Sequence, residues 1–273
     1  MPSKRKQAQL EKKAAKQERK KSKKKIILFL VEGPSDKDAL EIPIGDLCDE
    51  VNENIESFFR FLVDYDWKNK EENVGGDITS AYWAKPSNIE SKINEKFITP
   101  FLNETGLYAK DISQIIQLVD LDGAFIPDSS VVECDEEDAS VIYCDSEIRA
   151  KNPAGIKERN ARKSENLRYL CSLDSIKAGS KTVPYSVYFM SSNLDHYLHG
   201  NANLPSNKKV LLASEFSDKC DMTPSYFYEV IQGDFSMNGL SYEESWNFVQ
   251  DGTESLKKHT NLGLCIDLLS ESK

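Results

Sequence analysis

Several common motifs are missing from this sequence of 273 residues, and each absence excludes a class of protein. No apolar run approaches the roughly 18–20 residues that cross a bilayer; the apolar stretch after the basic N-terminus, Ile26 to Val31, has only six residues. There is no GxxxxGK[ST] or GxGxxG motif, so ATP hydrolysis by this chain is unsupported. The six cysteines form no CxxC pair, which argues against a zinc ribbon or a redox motif.

The same absences also predict the cellular compartment of the protein. The apolar stretch is too short for the core of a signal peptide, and no small-residue cleavage site follows it. A chain of this size without a secretion signal is expected to keep its thiols reduced. We therefore expect a cytoplasmic protein that does not associate with membranes.

Charge is distributed unevenly along the chain, although the net charge is only −10. Residues 1–25 contain twelve Lys and Arg and two Glu, a net charge of +10, so residues 26–273 carry −20. The basic segment has no aromatic or β-branched residue and fits either a solvated extension or an arm that binds nucleic acid by counterion release. The candidate phosphate contacts are Lys20, Lys21, Lys23, Lys24 and Lys25.

The hydrophobic pattern after the tail predicts an α/β fold with a mainly parallel sheet flanked by helices. Continuous apolar runs at Ile26–Val31 and Ile115–Val119 are typical of buried strands, and Phe58–Trp67 reads as a third strand. Between them, Pro86–Leu102 has apolar residues at helical spacing. Strands that alternate with helices indicate βαβ units.

The helix after the first strand carries its own signals. Ser35 followed by Asp38 matches a capping box, which predicts that the helix begins at this point. Pro43 and Gly45 are expected to interrupt it early.

The remaining pattern predicts three parts: a basic tail (1–25), an α/β domain (26–200) and a helical extension packed on that domain (201–273). An insertion or hairpin is expected near 127–150, where an acidic run precedes a strand-like segment. A polar helix follows at Pro153–Leu173, and Tyr185–Met190 reads as another strand.

Acidic residues stand where two of the apolar strands end. Glu32 follows the first strand, and Asp120 and Asp122 follow the strand at 115–119. The carboxyl ends of strands line the ligand crevice of an open α/β sheet, and a spacing of two places Asp120 and Asp122 on one side. Like charges brought together there repel unless a cation neutralises them, and Mg²⁺ prefers such oxygen ligands.

These two motifs, FLVEGPSD at Phe29–Asp36 and LVDLDGA at Leu118–Ala124, resemble those of the Toprim domain. That domain is shared by topoisomerases, bacterial primases, small RNA-maturing nucleases and nucleases of the overcoming-lysogenization-defect type. The resemblance covers about residues 26–195, and FMSSNLDHYLHG near its end is similar to a segment of stand-alone Toprim-like proteins of phage defence. It implies a Toprim-like fold and a carboxylate site that cleaves phosphodiester bonds.

The resemblance also implies a role for each matching residue. Glu32 corresponds to the general acid or base, and Asp120 and Asp122 to the metal-binding pair. Asp36 corresponds to the extra carboxylate that lysogenization-type nucleases use for a second metal. The downstream basic residue of such nucleases has four candidates in this chain, Arg149, Lys151, Lys157 and Lys163.

We therefore expect a nuclease of DNA or RNA that depends on Mg²⁺ or Mn²⁺, with Glu32, Asp120 and Asp122 as catalytic residues. The metal ligands would be Glu32, Asp36, Asp120 and Asp122. A role as a defence effector restrained by a partner ATPase follows from the resemblance alone. Two alternatives remain open: a non-catalytic binding module with a degenerate Toprim site, and a phosphoesterase of small molecules.

Two further groups have both a functional and a structural interpretation. Asp195, His196 and His199 could bind a metal or simply belong to a capped helix. Lys257, Lys258 and His259 could contact phosphate or form a solvated face.

Overall fold

A computed structural model describes residues 24–66, 71–134 and 140–271 of the chain. Its strands are β1 (Lys25–Leu30), β2 (Ile55–Arg60), β3 (Val63–Asp66), β4 (Glu71–Val74), β5 (Ile112–Asp120), β6 (Val131–Glu133), β7 (Val141–Tyr143), β8 (Ile148–Ala150), β9 (Ser175–Ala178) and β10 (Lys181–Met190). Its α-helices are α1 (Pro34–Val51), α2 (Ile89–Ile93), α3 (Thr99–Thr105), α4 (Pro153–Cys171), α5 (Leu194–His199), α6 (Ser206–Met222), α7 (Ser225–Ile231), α8 (Tyr242–Val249) and α9 (Leu262–Glu271). A π-helical turn, Asn94–Ile98, joins α2 to α3.

The central sheet has five strands in the order β2-β1-β5-β10-β9. The first four are parallel to their neighbours, and only β9 runs antiparallel, against the start of β10. The predicted α/β architecture with a mainly parallel, helix-flanked sheet is therefore confirmed. From β1 the chain crosses to β2 on one side and later returns to β5 on the other, so the strand order reverses between β1 and β5.

Strand β1 is buried on both faces, as its uninterrupted apolar sequence predicts. Ile27 and Phe29 pack on one side with α1, α6, α7 and α9, and Phe29 stacks on Phe59 of β2. Leu28 and Leu30 pack on the other side with α2, α3, α4 and α8. Helices from the 201–273 segment thus cover both faces of the sheet. No helix among the described residues is both long and apolar enough to span a membrane.

Helix α1 differs from the prediction at both ends. It begins at Pro34 with Gly33 as N-cap, and the N3 residue Asp36, not Ser35, supplies the side chain that accepts the N-terminal N–H groups. It also continues through Pro43 to Val51. Proline removes one helical hydrogen bond and its ring crowds the carbonyl one turn earlier, and burial of the apolar face of α1 against the sheet offsets this cost.

The segment Phe58–Trp67, predicted as one strand, is divided in the structure. Residues up to Arg60 belong to β2 in the central sheet, whereas Val63–Asp66 forms β3 and pairs with β4 in a separate hairpin. Trp67 lies outside the described residues. Apolar residues continue without a break through Phe61, Leu62 and Val63, so the sequence pattern does not reveal where the chain leaves the sheet.

The insertion predicted near 127–150 is a small sheet in the order β6-β8-β7. Strands β7 and β8 form the expected hairpin, and β6 pairs parallel to β8. Ile126, Val131, Ile148 and Leu256 form a core of their own beneath it. The acidic run Asp135–Asp138 lies outside the described residues.

Side chains of the C-terminal segment close the edge of β10 where β9 has ended. The Tyr242 hydroxyl donates to the carbonyl of Val187 at 2.8 Å and accepts from its N–H at 3.3 Å. Asn261 Oδ1 accepts the N–H of Phe189, and the Thr260 hydroxyl donates to the carbonyl of that residue. These contacts satisfy strand groups at this edge, and the indole N–H of Trp246 adds a second donor to the carbonyl of Val187 at 3.3 Å.

We expect Tyr242→Phe to lower the free energy of unfolding by about 1–3 kcal/mol, because it removes a partner from both backbone groups of Val187. Urea denaturation measures the change. Tyr82→Phe is the matched control, since Tyr82 is 86% exposed, and it should change stability by less than about 0.5 kcal/mol. Equal stability of the two variants would show that the edge of β10 does not depend on this hydroxyl.

Candidate functional site

The candidate site lies at the carboxyl ends of β1 and β5, where the strand order reverses. This is the position at which open α/β sheets bind ligands. Glu32 follows β1 and Asp120 ends β5, and Glu32 Oε1 accepts the backbone N–H of Asp120 at 3.0 Å. The two strand-end motifs predicted from the sequence therefore meet in the fold.

The turn after β5 holds Asp122 in an unusual backbone conformation. Its φ is +50°, its N–H donates to the carbonyl of Ser192, and its own carbonyl accepts from Arg159 at 2.8 Å. The next residue, Gly123, has φ +68°, and a Cβ there would lie 2.6 Å from Leu256 Cδ2. The positive φ and this close contact both favour glycine at this turn.

A third carboxylate, Asp77, joins the site from the loop after β4. Glu32, Asp77 and Asp122 each offer an oxygen, and the three oxygens lie within 4.8 Å of one another. The loop reaches the site because Gly76 N–H donates to the carbonyl of Glu32 at 2.7 Å. The sequence analysis missed Asp77; its only signal is the Gly-Gly pair immediately before it, which permits close approach of the two backbones.

Lys163 lies at the centre of this trio. Its side chain, on α4, is fully buried, and its Nζ lies 2.7 Å from Asp122 Oδ2, 2.9 Å from Asp77 Oδ2 and 3.6 Å from Glu32 Oε1. Burial alone would lower the pKa of Lys163, but the three carboxylates hold it well above its ordinary value. The ammonium group therefore stays charged.

Lys163 is one of the four candidates for the basic residue. The structure places it, and not the other three, among the carboxylates. Arg149 is exposed and paired with Glu147, and Lys151 is exposed on the surface. Lys157 is on the same helix, a turn and a half before Lys163.

The acidic groups of the site compete for this one cation. Burial raises the pKa of Glu32 well above its ordinary value, and Lys163 offsets this only in part because Asp77, Asp120 and Asp122 raise it further. Burial and the neighbouring Asp36 and Asp122 likewise raise the pKa of Asp120. Burial also opposes ionisation of Asp77, but the contacts with Lys163 and Thr79 outweigh it and keep the pKa of that carboxyl below its ordinary value. The site therefore has more carboxylates than Lys163 neutralises.

Asp120 and Asp36 stand apart from the trio. Asp120 Oδ1 accepts the N–H of Leu194 at the start of α5, at 2.9 Å. Asp36 Oδ2 accepts the N–H groups of Glu32 and Gly33, and burial raises its pKa to about 6. Both carboxylates thus act as caps of helix N-termini in this structure. Among the described residues, only Glu32, Asp77 and Asp122 form a compact group of potential metal ligands.

An open cleft of about 430 Å³ leads to the site. Glu32, Asp120 and Asp122 line it together with strand β7 and Asn203. Lys209, the one cation among the described lining residues, is paired with Asp195 at 2.6 Å. The cleft is therefore acidic and accessible from solvent. A larger cavity of about 970 Å³, beside α8 and the end of α4, contains none of these carboxylates.

The other predicted groups do not join the cluster. His196 and His199 lie on α5, capped by Asn193, and burial lowers the pKa of both imidazoles. In the C-terminal segment, Lys257 and His259 both contact Glu254. The structural interpretation of these residues is therefore the better one.

The basic tail joins the fold at the opposite edge of the sheet. Lys25 is the first residue of β1, and Lys24 lies 3.7 Å from Asp49. Six strand residues, about 20 Å of chain, separate this end of β1 from Glu32. Lys20, Lys21 and Lys23 lie outside the described residues, so their predicted contact with nucleic acid stays a prediction.

Comparison with known proteins identifies no relative. No family model matches the chain, no curated protein matches it, and no solved structure matches it. The Toprim resemblance consequently rests on the two strand-end motifs and on their meeting at one sheet edge.

We expect Lys163→Met to destabilise the protein by about 3–5 kcal/mol at pH 8, because it leaves buried carboxylates without a cation. In the variant these groups gain protons on folding, so the native state binds more protons than the unfolded state and stability rises as pH falls. The loss of unfolding free energy in Lys163→Met, relative to the wild type, should therefore be smaller at pH 5.5 than at pH 8 by more than about 1 kcal/mol. Urea denaturation at the two pH values measures it.

Two variants control this experiment. Lys177→Met removes an exposed lysine from β9 and should cost less than about 0.5 kcal/mol at both pH values. Adding Asp77→Asn to Lys163→Met should restore part of the lost stability, since one unpaired carboxylate disappears. A deficit that does not change with pH would mean that Lys163 contributes packing alone.

Proposed function

We propose that the chain is a metal-dependent hydrolase that cleaves phosphodiester bonds of DNA or RNA. The observation that carries the proposal is the compact group of Glu32, Asp77 and Asp122, two of which, Glu32 and Asp122, line a cleft with Asp120 at the switch point of the sheet. Carboxylate clusters of this kind serve phosphoryl chemistry when a hard cation joins them.

The donor set fits Mg²⁺ or Mn²⁺. All ligand atoms offered by the trio are carboxylate oxygens, and Lys163 balances only one of the charges. Asp120 lines the same cleft and could complete the set for a metal bound to Asp122. A bound divalent ion would supply Lewis-acid activation of water and would neutralise charge on the phosphate.

The residues of the chain have separate tasks in this proposal. Glu32 reaches the cleft, and burial raises the pKa of its carboxyl, which suits a group that exchanges a proton with water or with the leaving oxygen. Asp122 is held by its turn and binds the metal. Lys163 is fully buried and does not reach the cleft, so it is a positioning residue that fixes the carboxylates of Asp77 and Asp122.

Two other functions each have one observation in their favour. The position of Lys163 between all three carboxylates is what a degenerate, metal-free binding module would show. The modest size of the cleft also suits a small phosphoester. Turnover of nitrophenyl phosphate without cleavage of oligonucleotides would favour the phosphoesterase. The defence role with a partner ATPase rests on the Toprim resemblance alone.

The nuclease proposal predicts that the wild-type chain with Mn²⁺ cleaves at least one of single-stranded DNA, duplex DNA or transfer RNA. Glu32→Gln should lower the rate by about 100-fold or more, because the variant cannot exchange a proton. Asp128→Asn, which changes an exposed carboxylate outside the cleft, should retain the wild-type rate. The proposal fails if wild type and Glu32→Gln degrade these substrates equally or not at all.

Metal binding can be tested without activity. We expect Mn²⁺ at 100 times its dissociation constant to stabilise the wild-type protein by about 2.7 kcal/mol, seen as a rise in the melting temperature. Asp122→Asn should abolish most of this rise, whereas Asp128→Asn should keep it. A melting temperature of the wild type that does not respond to Mn²⁺ or Mg²⁺ would favour the degenerate binding module.

A further inference from the structure

Strand β7, the edge strand of the small sheet, lines the same cleft as the carboxylates. Val141, Ile142 and Tyr143 line the cleft, and we call these three residues the roof. The roof lies in the segment that the sequence marks only as an insertion. Its position decides what can approach Glu32 and Asp122.

The roof is fastened to the rest of the fold at both sides. Asn203, in the loop after α5, accepts the N–H of Tyr143 with Oδ1 and donates to its carbonyl with Nδ2, both at 2.8 Å. On the other side Arg159 donates to the Tyr143 hydroxyl at 2.7 Å and to the carbonyl of Asp122 at 2.8 Å. One guanidinium group therefore joins the roof directly to the turn that carries the carboxylate.

The core beneath the small sheet adds to this support. Ile148 of β8, the strand next to the roof, is fully buried and packs with Ile126 and Leu256. The roof is thus part of a packed unit with fixed contacts on three sides. A substrate has to fit the space that it leaves.

That space is small for a nucleic acid. At about 430 Å³ the cleft falls in the lower part of the range, about 300–1,000 Å³, of sites that hold single small ligands. A phosphate of a duplex carries a stacked and paired nucleotide with it. The phosphates of a duplex lie on the outside of a stiff, stacked helix, so the strand cannot bend into the cleft under the roof unless its nucleotides leave the stack and their partners, which costs pairing and stacking energy.

The chemistry of the walls suits an unpaired nucleotide better than a duplex backbone. In the β7–β8 hairpin, the N–H of Cys144 donates to the carbonyl of Glu147, so these two residues form a hydrogen-bonded pair. Hydrogen-bonded and non-bonded pairs alternate along an antiparallel ladder, so Ile142 and Arg149, two residues away, form the next hydrogen-bonded pair. The backbone groups of Val141 and Tyr143 therefore face away from β8. Those of Tyr143 bind Asn203. Val141 is also a lining residue of the cleft, so its outward backbone groups could pair with the edge of an unstacked base.

We propose that this site selects unpaired strands, so that the substrate is a single-stranded segment or a frayed end and duplex is excluded by the roof. The inference rests on the proposed nuclease function and adds its substrate class. Asn203 is the residue that determines this specificity, because it holds the free edge of the roof in place.

The test compares one labelled oligonucleotide, as DNA and as RNA, alone and annealed to its complement, with the full-length protein and Mn²⁺. We expect the wild type to cut the unpaired form at least tenfold faster than the paired form. Asn203→Ala should narrow this ratio at least threefold, because the roof loses both bonds to the loop. Asn247→Ala, an exposed asparagine of α8 outside the cleft, should leave the ratio unchanged.

The outcomes separate the inference from the function on which it rests. If the wild type cuts neither form, the nuclease proposal fails and the inference falls with it. If it cuts both forms at similar rates, or if Asn203→Ala and Asn247→Ala keep the same ratio, the nuclease proposal stands and the inference is overturned. Loss of the preference in Asn203→Ala alone supports it.

Discussion

The buried ammonium of Lys163 is the interaction on which the candidate site depends. It joins helix α4 to three chain segments that are distant in sequence, through Glu32 after β1, Asp77 after β4 and Asp122 after β5. Without a cation, three partly buried carboxylates could not lie this close together, because their mutual repulsion would add to the cost of removing them from water. The ammonium of Lys163 balances part of this repulsion, so the turns that carry the three carboxylates can meet at one edge of the sheet.

The C-terminal segment holds the same site from behind. The carbonyl of Ser255 accepts the N–H groups of Ser192 and Gly123, and Leu256 packs against the space beside Gly123. Together with the side chains that close the edge of β10, these contacts make residues 201–273 part of the body that shapes the cleft. The turn at Asp122 keeps its left-handed backbone conformation because contacts with neighbours on three sides hold it in place.

The charge of the protein can be understood in the same physical terms. The body of the chain is strongly acidic, and several of its acids gather where they face one buried lysine. The raised pKa values of Glu32 and Asp120 express an excess of carboxylates over cations. Such an excess is what a divalent cation would relieve, and it is why the metal and the proton compete for the same groups in the function we propose.

The sequence by itself determined the layered α/β fold and the ends of its central strands. Six consecutive apolar residues of a strand can all be buried only where both faces of the strand are covered. The run Ile26–Val31 therefore predicts a strand in the middle of a sheet and puts Glu32 at the edge of that sheet. The same logic locates Asp120 and Asp122. These predictions need only local sequence, because the burial of a strand determines the hydrophobicity of successive residues.

Only the tertiary structure decided which other side chains meet these acids. Asp77 follows a hairpin and Lys163 sits within a polar helix, and no local pattern separates them from the many other acidic and basic residues of the chain. The passage of α1 through Pro43 and the division of Phe58–Trp67 were likewise set by packing against distant segments. Burial, pairing and repulsion act between residues brought together by the fold, and spacing along the chain does not encode them.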